Sequence, residues 1–222
     1  MDAIHVASSR RVCLKRIALP AEQSVELQII QFLSSEQRQK DPRNHAVPLL
    51  DVLRAHDHCF LILPLCRSLF PPIELFNTLG EGLDFVDQTL EGFAYLHEVG
   101  IAHRDCAISN MVMDADKMLP HSFHPDFLTK DMRARRLRGV RSRTHVAGVK
   151  YYFIDFGESM KFDSTENVRI DVWSKASIHA PETLDDDRPP YDPFKVDIWA
   201  AGTTYANVLV KVRHFRTVQL LF

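Results

Sequence analysis

An acid and an amide stand five residues apart near the middle of the chain, at Asp105 and Asn110, and a second acid follows at Asp155. Asp155 ends an apolar stretch and lies two residues before Gly157. If Asn110 and Asp155 project from neighbouring strand ends, they can hold Mg²⁺, which prefers oxygen ligands and takes few of them from protein when phosphates are present. A carboxylate at Asp105 would then stand near the metal and could accept a proton from a hydroxyl. These groups are the minimum set for transfer of a phosphoryl group to a hydroxyl.

The elements that must position these residues are predicted from apolar periodicity. The clearest is a helix at 81–100, in which Phe85, Thr89, Phe93 and Leu96 share one stripe and Gly100 is a suitable stop. Its end leads directly into the stretch that contains Asp105. The other predicted elements are a strand at 10–17, a helix from Pro20 to 35, strands at 46–55 and 58–65, short strands at 111–114 and 149–154, and a helix that begins near Phe194.

Composition indicates an ordinary globular protein. The chain has 222 residues, 45% of them hydrophobic and 25% charged, with a formal net charge of -2. This balance predicts no strong attraction to nucleic acid or to an anionic membrane. Four cysteines without metal-ligand spacing, no apparent secretory leader and apolar stretches too short to span a bilayer together predict a cytoplasmic or nuclear protein.

Residues 114–147 predict a loop insertion, because they are rich in His, Pro, Arg and Ser. The stretch includes RARRLRGVRSR at 133–143, which could bind a phosphate backbone or act as a nuclear import signal. No aromatic residue is interleaved to stack on bases, so a solvated loop is the favoured interpretation and a nucleic-acid partner is not expected.

Several motifs of the chain resemble those of the eukaryotic protein kinase family. HRDxxxxN at 103–110, DFG at 155–157 and APE at 180–182 match in full. The family's VAIK strand is approximated by VCLK, which ends at Lys15, and the next predicted helix carries Glu26. DIWAAG at 197–202 resembles the start of a family helix whose Asp, here Asp197, braces the catalytic loop. The motifs occur in family order, and the resemblance extends over nearly the whole chain.

The resemblance implies an α+β, two-lobed kinase-like fold that uses ATP and Mg²⁺ and phosphorylates a protein substrate. The small β-rich lobe is expected at 1–64 and the mainly helical lobe at 65–222, both incomplete. By this resemblance, Asp105 is the catalytic base, and Asn110 and Asp155 are the Mg²⁺ ligands. Lys15 contacts the α- and β-phosphates, and Glu26 is its ion-pair partner. The adenine-binding hinge is Leu63 to Cys66, with Leu63 and Leu65 as its contacts, and the activation segment is Asp155 to Glu182. Arg104 is expected to pair with a phosphorylated residue of that segment, for which Ser159, Ser164, Thr165, Ser174 and Ser177 are candidates.

The chain departs from the family pattern at three places. No Gly precedes Lys15, so the phosphate-covering hairpin of the family is missing from the 14 residues before it. Ala107 stands where Ser/Thr kinases carry Lys, and Ser109 stands near the place where tyrosine kinases supply an Arg. The chain ends 20 residues after Gly202, before the last helices of the family.

These departures leave alternatives open. The first is a catalytically impaired pseudokinase that acts as a binding scaffold. The second keeps the fold but phosphorylates a small molecule, although the APE match and the segment from Asp155 to Glu182 favour a peptide. A Ser/Thr acceptor is preferred over Tyr. Glu22 also competes with Glu26 for Lys15, because Glu26 lies only 11 residues after that Lys.

Overall fold

A small antiparallel sheet forms the first part of the chain. The computed structural model describes residues 1–6, 10–18, 20–56, 58–69, 76–184 and 189–210. The sheet has the order β1-β2-β4-β3. Its strands are β1 (Asp2–His5), β2 (Arg10–Ile17), β3 (Asp51–Ala55) and β4 (His58–Pro64). Lys15 lies in the middle of β2, opposite Leu61 of β4.

Helix α1 (Val25–Leu33) packs on this sheet and presents Glu26. The helix begins where Ser24 caps it, since the Ser24 hydroxyl accepts a hydrogen bond from the Leu27 backbone N–H at 3.2 Å. Leu27 and Ile30 pack against the sheet, and Ile29 and Leu33 face the main core. The helix therefore joins the two parts of the molecule and fixes Glu26 between them. A short helix α2 (Glu36–Gln39) follows.

The second part is built around helix α3 (Leu79–Glu98), and α4 (Pro193–Leu209) packs beside it. Thr78 caps α3 by accepting a hydrogen bond from the Glu81 N–H at 3.2 Å. The predicted stripe of α3 is confirmed, because all four of its residues are at most 1% exposed. Two further small sheets complete the described fold: β5 (Arg67–Ser68), β7 (Met111–Met113) and β8 (Tyr151–Phe153) in one, and β6 (Ile101–Ala102) and β9 (Met160–Lys161) in the other.

The pairing of β7 with β8 determines where the candidate site lies. Met111 is opposite Phe153, so Asn110 and Ile154 meet just beyond the paired residues. The Ile154 backbone N–H donates to the Asn110 carbonyl at 3.0 Å. Asn110 and Asp155 are therefore held at adjacent ends of neighbouring strands, as the sequence predicts.

Close packing of α3 on β8 at Gly92 provides a stability prediction. A Cβ atom at Gly92 would lie 2.6 Å from Phe153 Cε2 and 2.8 Å from His45 Cβ, which are distances that packing cannot accommodate without movement. We expect Gly92→Ala to lower the free energy of unfolding by about 1–3 kcal/mol. Gly202→Ala is the matched control, since it is also helical but has open space around it, and it should raise that free energy by up to about 1 kcal/mol. Urea unfolding of both variants measures the difference, and equal effects would contradict the packing.

Several predicted boundaries were wrong. The helix expected from Pro20 begins at Val25, because Ser24 is extended and separates α1 from a single 3-10 turn at Ala21–Gln23. The strand expected at 46–55 is regular only at Asp51–Ala55, although Ala46 forms an isolated bridge with Phe153. The strand expected at 149–154 is regular only at Tyr151–Phe153.

Residues 114–147 contain turns and one isolated bridge, between Lys130 and Arg136. The segment is nevertheless attached to the core. Arg143 is buried, lies 4.7 Å from the Phe76 ring centre and has its Nη1 3.8 Å from Glu81 Oε2. Leu119 and Phe123 are also buried in the main core. The predicted loop is thus a packed part of the molecule, and its bounds as an insertion stay a prediction.

Within the described ranges, no helix is both long and apolar enough to cross a bilayer.

Candidate active site

Lys15 lies between two carboxylates. Its Nζ is 2.6 Å from Glu26 Oε1 and 2.8 Å from Asp155 Oδ1. Burial acts to lower the pKa of Lys15, but the charges and hydrogen bonds of Glu26 and Asp155 outweigh it and raise that pKa above its usual value. Glu22, the alternative partner, instead lies 3.4 Å from Arg54 Nη2. The structure therefore joins β2, α1 and the end of β8 through one cationic side chain.

Asp155 occupies a sharply turned backbone position. Its φ is +64°, in the left-handed region, and its Oδ1 accepts a hydrogen bond from the Gly157 N–H at 3.4 Å. Burial acts to raise the pKa of Asp155, but the hydrogen bond and charge of Lys15 dominate and keep that pKa below its usual value. The side chain is 52% exposed, so an ionised carboxylate is presented to solvent, whereas the next residue, Phe156, is buried.

Asp105 and Asn110 are linked within one loop. Asn110 Nδ2 donates to Asp105 Oδ2 at 2.7 Å and to the Asp105 carbonyl at 3.0 Å. Because these bonds use the amide nitrogen, the orientation of Asn110 leaves its amide oxygen available as a ligand. Asp105 Oδ1 accepts from the backbone N–H of Ser177 at 2.8 Å. Both carboxylate oxygens of Asp105 are thus oriented, one by its own loop and one by the segment that follows Asp155.

The pair Asn110 and Asp155 fits a hard divalent cation. An amide and an ionised carboxylate lie at adjacent ends of paired strands, and Mg²⁺ is commonly bound by one or two protein oxygens together with phosphates. No group of three or more His, Cys, Asp or Glu side chains that could bind a metal occurs among the described residues. Asn110 and Asp155 therefore fit a metal that is shared with a phosphate ligand.

Asp197 braces the loop that carries Asp105. This carboxylate is 1% exposed and accepts hydrogen bonds from the backbone N–H groups of His103 at 2.8 Å and Arg104 at 2.7 Å. It also lies 2.9 Å from His97 Nε2 and 3.3 Å from Cys106 Sγ. The bonds hold the left-handed backbone of Arg104, whose φ is +66°. A buried carboxylate with this many donors makes the loop rigid.

Of the predicted hinge residues, Leu63 is buried in β4, whereas Leu65 and Cys66 line a cleft. Leu63 is buried at the end of β4, and its strand pairs with β2 at Cys13. The Leu65 N–H donates to the Arg11 carbonyl at 3.4 Å. Leu65 and Cys66 also line a cleft of about 840 Å³ together with Asp114 and Tyr152. Lys15, Asn110 and Asp155 are not among the residues that line this cleft, and the adenine contacts of Leu63 and Leu65 stay predictions.

Sequence reasoning missed several residues that order the site. His97 contacts Asp197, and the Thr204 hydroxyl donates to the Cys106 carbonyl at 2.9 Å. Ser177, one of the predicted phosphorylation candidates, also contacts Asp105 through its backbone N–H. His97 and Thr204 lie on α3 and α4, far in sequence from the residues that they contact, and no local sequence pattern predicts these contacts.

Known proteins provide independent comparisons. A family model described as "Protein kinase domain" matches residues 1–220. Serine/threonine-protein kinase ppk8 of Schizosaccharomyces pombe is 27% identical over 128 residues, which cover 56% of this chain and 18% of that protein. Probable serine/threonine-protein kinase HAL5-like of Eremothecium gossypii is 24% identical over 173 residues, 73% of this chain and 21% of that protein. Serine/threonine-protein kinase oca2 of Schizosaccharomyces pombe is 26% identical over 153 residues, 64% of this chain and 18% of that protein.

The chain spans about a fifth of the length of these fungal relatives. The family match, together with the small antiparallel sheet beside the helices, confirms the predicted α+β kinase-like fold. The lobe boundary at 64 and the roles of individual residues stay predictions. Since the match extends over nearly all of its residues, the chain belongs to the protein kinase domain family.

Proposed function

We propose that the chain transfers the γ-phosphate of ATP, with Mg²⁺, to the hydroxyl of a protein substrate, with Ser or Thr preferred. The observation that carries this proposal is the placement of Lys15 between Glu26 and Asp155, with Asp155 at a strand end adjacent to Asn110. An ion pair with a purely structural role would not need the Asn110 amide or the second acid, Asp155, beside it. Phosphoryl transfer needs the lysine, the acids and the amide together.

The charged and amide side chains of the site have roles that their contacts support. Lys15, held by Glu26, would bind the α- and β-phosphates as a point charge. Asn110 and Asp155 would hold Mg²⁺, which when bound neutralises charge on the phosphates. Leu63 and Leu65 would contact the adenine from the hinge.

Asp105 would act on the acceptor hydroxyl. Its carboxylate is oriented by Asn110 and by the Ser177 N–H, so it can accept the hydroxyl proton as the oxygen attacks the γ-phosphorus. The new O–P bond forms as the bond to the β-phosphate oxygen breaks, and ADP leaves. Ala107 supplies no charge to the transferred group. Absence of one preorganised donor of this kind costs about 10²- to 10³-fold in rate, so we expect slow turnover.

The acceptor class rests on two observations. The segment from Asp155 to Glu182 lies against the catalytic loop, where a peptide could be seated. The matched relatives are named as serine/threonine kinases. We therefore propose a protein as the partner. We place the chain in the cytoplasm or nucleus, and we propose neither a membrane nor a nucleic acid as a partner. The absence of Gly from the 14 residues before Lys15 favours the scaffold alternative, and Ala107 agrees with it.

Phosphoamino-acid analysis tests the acceptor class. The chain is incubated with γ-labelled ATP, Mg²⁺ and a mixture of generic acceptor proteins, and in parallel with small-molecule alcohols. We expect label on Ser and Thr of protein. Label on small molecules alone would contradict the peptide acceptor, and ATP binding without any label would support the scaffold instead.

A further inference from the structure

The two terminal nitrogens of the Arg104 guanidinium donate to neutral acceptors of the chain itself. Arg104 is 5% exposed. Its Nη1 donates to the Glu158 carbonyl at 3.1 Å, and its Nη2 donates to the Val172 carbonyl at 2.6 Å and to the Tyr191 hydroxyl at 3.1 Å. Glu158 and Val172 both belong to the segment that follows Asp155. Arg104 thus links two points of this segment to the loop of Asp105. We call the hydrogen bonds that join Arg104, Glu158, Val172 and Tyr191 the clasp.

Tyr191 completes the clasp from the other side. Its hydroxyl donates to the Val172 carbonyl at 2.8 Å while it accepts from Arg104, so both of its hydrogen-bonding functions are used. Its backbone exchanges two hydrogen bonds with Ile170, both 2.9 Å long. Tyr191 is 9% exposed and packs in a cluster with Ile170, Ala180 and Val196. Tyr191 therefore bonds to the segment at Ile170 and Val172 and also to the Arg104 guanidinium of the catalytic loop.

The hydroxyls nearest to this clasp are also engaged. Ser159 is 2% exposed and its Oγ donates to the His103 carbonyl at 3.0 Å. The Ser174 hydroxyl lies 3.2 Å from the Arg104 carbonyl and 3.3 Å from Glu158 Oε2. A phosphate on either residue would have to displace these bonds, and a phosphate on Ser174 would also meet the Glu158 carboxylate. Like charges at this distance oppose each other.

We propose that Tyr191 is a positioning residue that holds the activation segment on the catalytic loop in the unphosphorylated chain, so that catalytic competence does not require a phosphate on that segment. The inference rests on the proposed function. It replaces the expectation that Arg104 pairs with a phosphorylated side chain. The clasp acts on Asp105 indirectly, because the same segment continues to Ser177, whose N–H orients the Asp105 carboxylate.

Limited trypsin digestion tests the clasp without requiring activity. Lys161, Arg169 and Lys175 are exposed cleavage sites within the segment. The full chain is first treated with a phosphatase and shown by mass spectrometry to carry no phosphate. We expect the segment of the wild type to be protected, and Tyr191→Phe to be cleaved there about tenfold faster, since a buried charged donor loses a partner. The matched control is Tyr95→Phe, because Tyr95 is 2% exposed and its hydroxyl has no hydrogen-bond partner in the described part of the chain.

Kinetics separate positioning from general loss of structure. For Tyr191→Phe we expect a lower kcat and a higher KM for the protein acceptor. The KM for ATP should be unchanged, because Lys15 bonds to Glu26 and Asp155 rather than to Arg104 or Tyr191. A purely structural defect would lower kcat in proportion to the folded fraction and leave both KM values unchanged. Such a result would overturn the positioning role.

Three results would overturn the inference itself. The first is equal cleavage of Tyr191→Phe and Tyr95→Phe. The second is rapid cleavage of the phosphate-free wild type, and the third is a tenfold or greater loss of transfer after phosphatase treatment. If the chain shows no transfer at all, the proposed function fails, whereas protection of the phosphate-free segment that depends on Tyr191 would still support the clasp.

Discussion

Replacing Asp155 by Asn should abolish the stabilisation of the chain by Mg-ATP. Asp155 is the ionised carboxylate at the strand end, and Asn would remove both its charge and its ion pair with Lys15. A ligand that binds only the native state raises the unfolding midpoint, and at 100 times its Kd it contributes about 2.7 kcal/mol. We expect this rise for the wild type and no rise for Asp155→Asn, measured by thermal unfolding with and without Mg-ATP.

Asp163→Asn provides the control for that experiment. Asp163 is an exposed acid of the same segment, so the variant has the same change of charge away from Lys15. It should keep the full rise. If Asp155→Asn kept the rise as well, the nucleotide would bind somewhere other than beside Lys15, and the cleft lined by Leu65 would become the place to examine.

Replacing Asp105 by Asn should slow phosphate transfer but leave the stabilisation by Mg-ATP intact. The transfer rate should fall by about 10²- to 10⁴-fold, since the amide cannot accept the hydroxyl proton. The rise of the unfolding midpoint with Mg-ATP should persist, because Asp105 is bonded to Asn110 Nδ2 and Ser177 rather than to Lys15. Initial rates of label transfer at saturating ATP measure the first effect.

Ser109→Ala in the same loop is the matched control for Asp105→Asn and should transfer phosphate at a rate close to that of the wild type. A wild-type rate for Asp105→Asn would refute its assignment as the base, and an equal loss in both variants would indicate that the loop had been disturbed.

Much of the candidate site could be predicted because it depends on local periodicity and strand pairing. Asn110 and Asp155 flank two short apolar strands, and antiparallel pairing of those strands places both residues at adjacent ends. The stripe of α3 follows from its spacing, which buries Phe85 and Phe93 completely. Glu26 was placed on the helix after Lys15, and the structure puts their side chains in contact.

The remaining features depend on tertiary contacts that no local pattern encodes. Tyr191 reaches Arg104 across 87 residues, and Asp105 is oriented by a backbone group 72 residues away. The start of α1 was misplaced because the capping side chain of Ser24 outweighed the tendency of Pro20 to begin a helix. The Leu65 N–H donates to the Arg11 carbonyl of β2, a contact between distant residues, and the adenine contact of Leu65 stays a prediction.

Mg²⁺-dependent incorporation of the γ-phosphate into a protein acceptor tests the central claim most directly. The measurement compares the unaltered chain with Asp105→Asn at the same ATP concentration, with and without Mg²⁺. The account predicts slow incorporation that requires both Mg²⁺ and Asp105. Incorporation that persists without Mg²⁺, or that is equal in the two chains, would contradict the roles assigned to Asn110, Asp155 and Asp105.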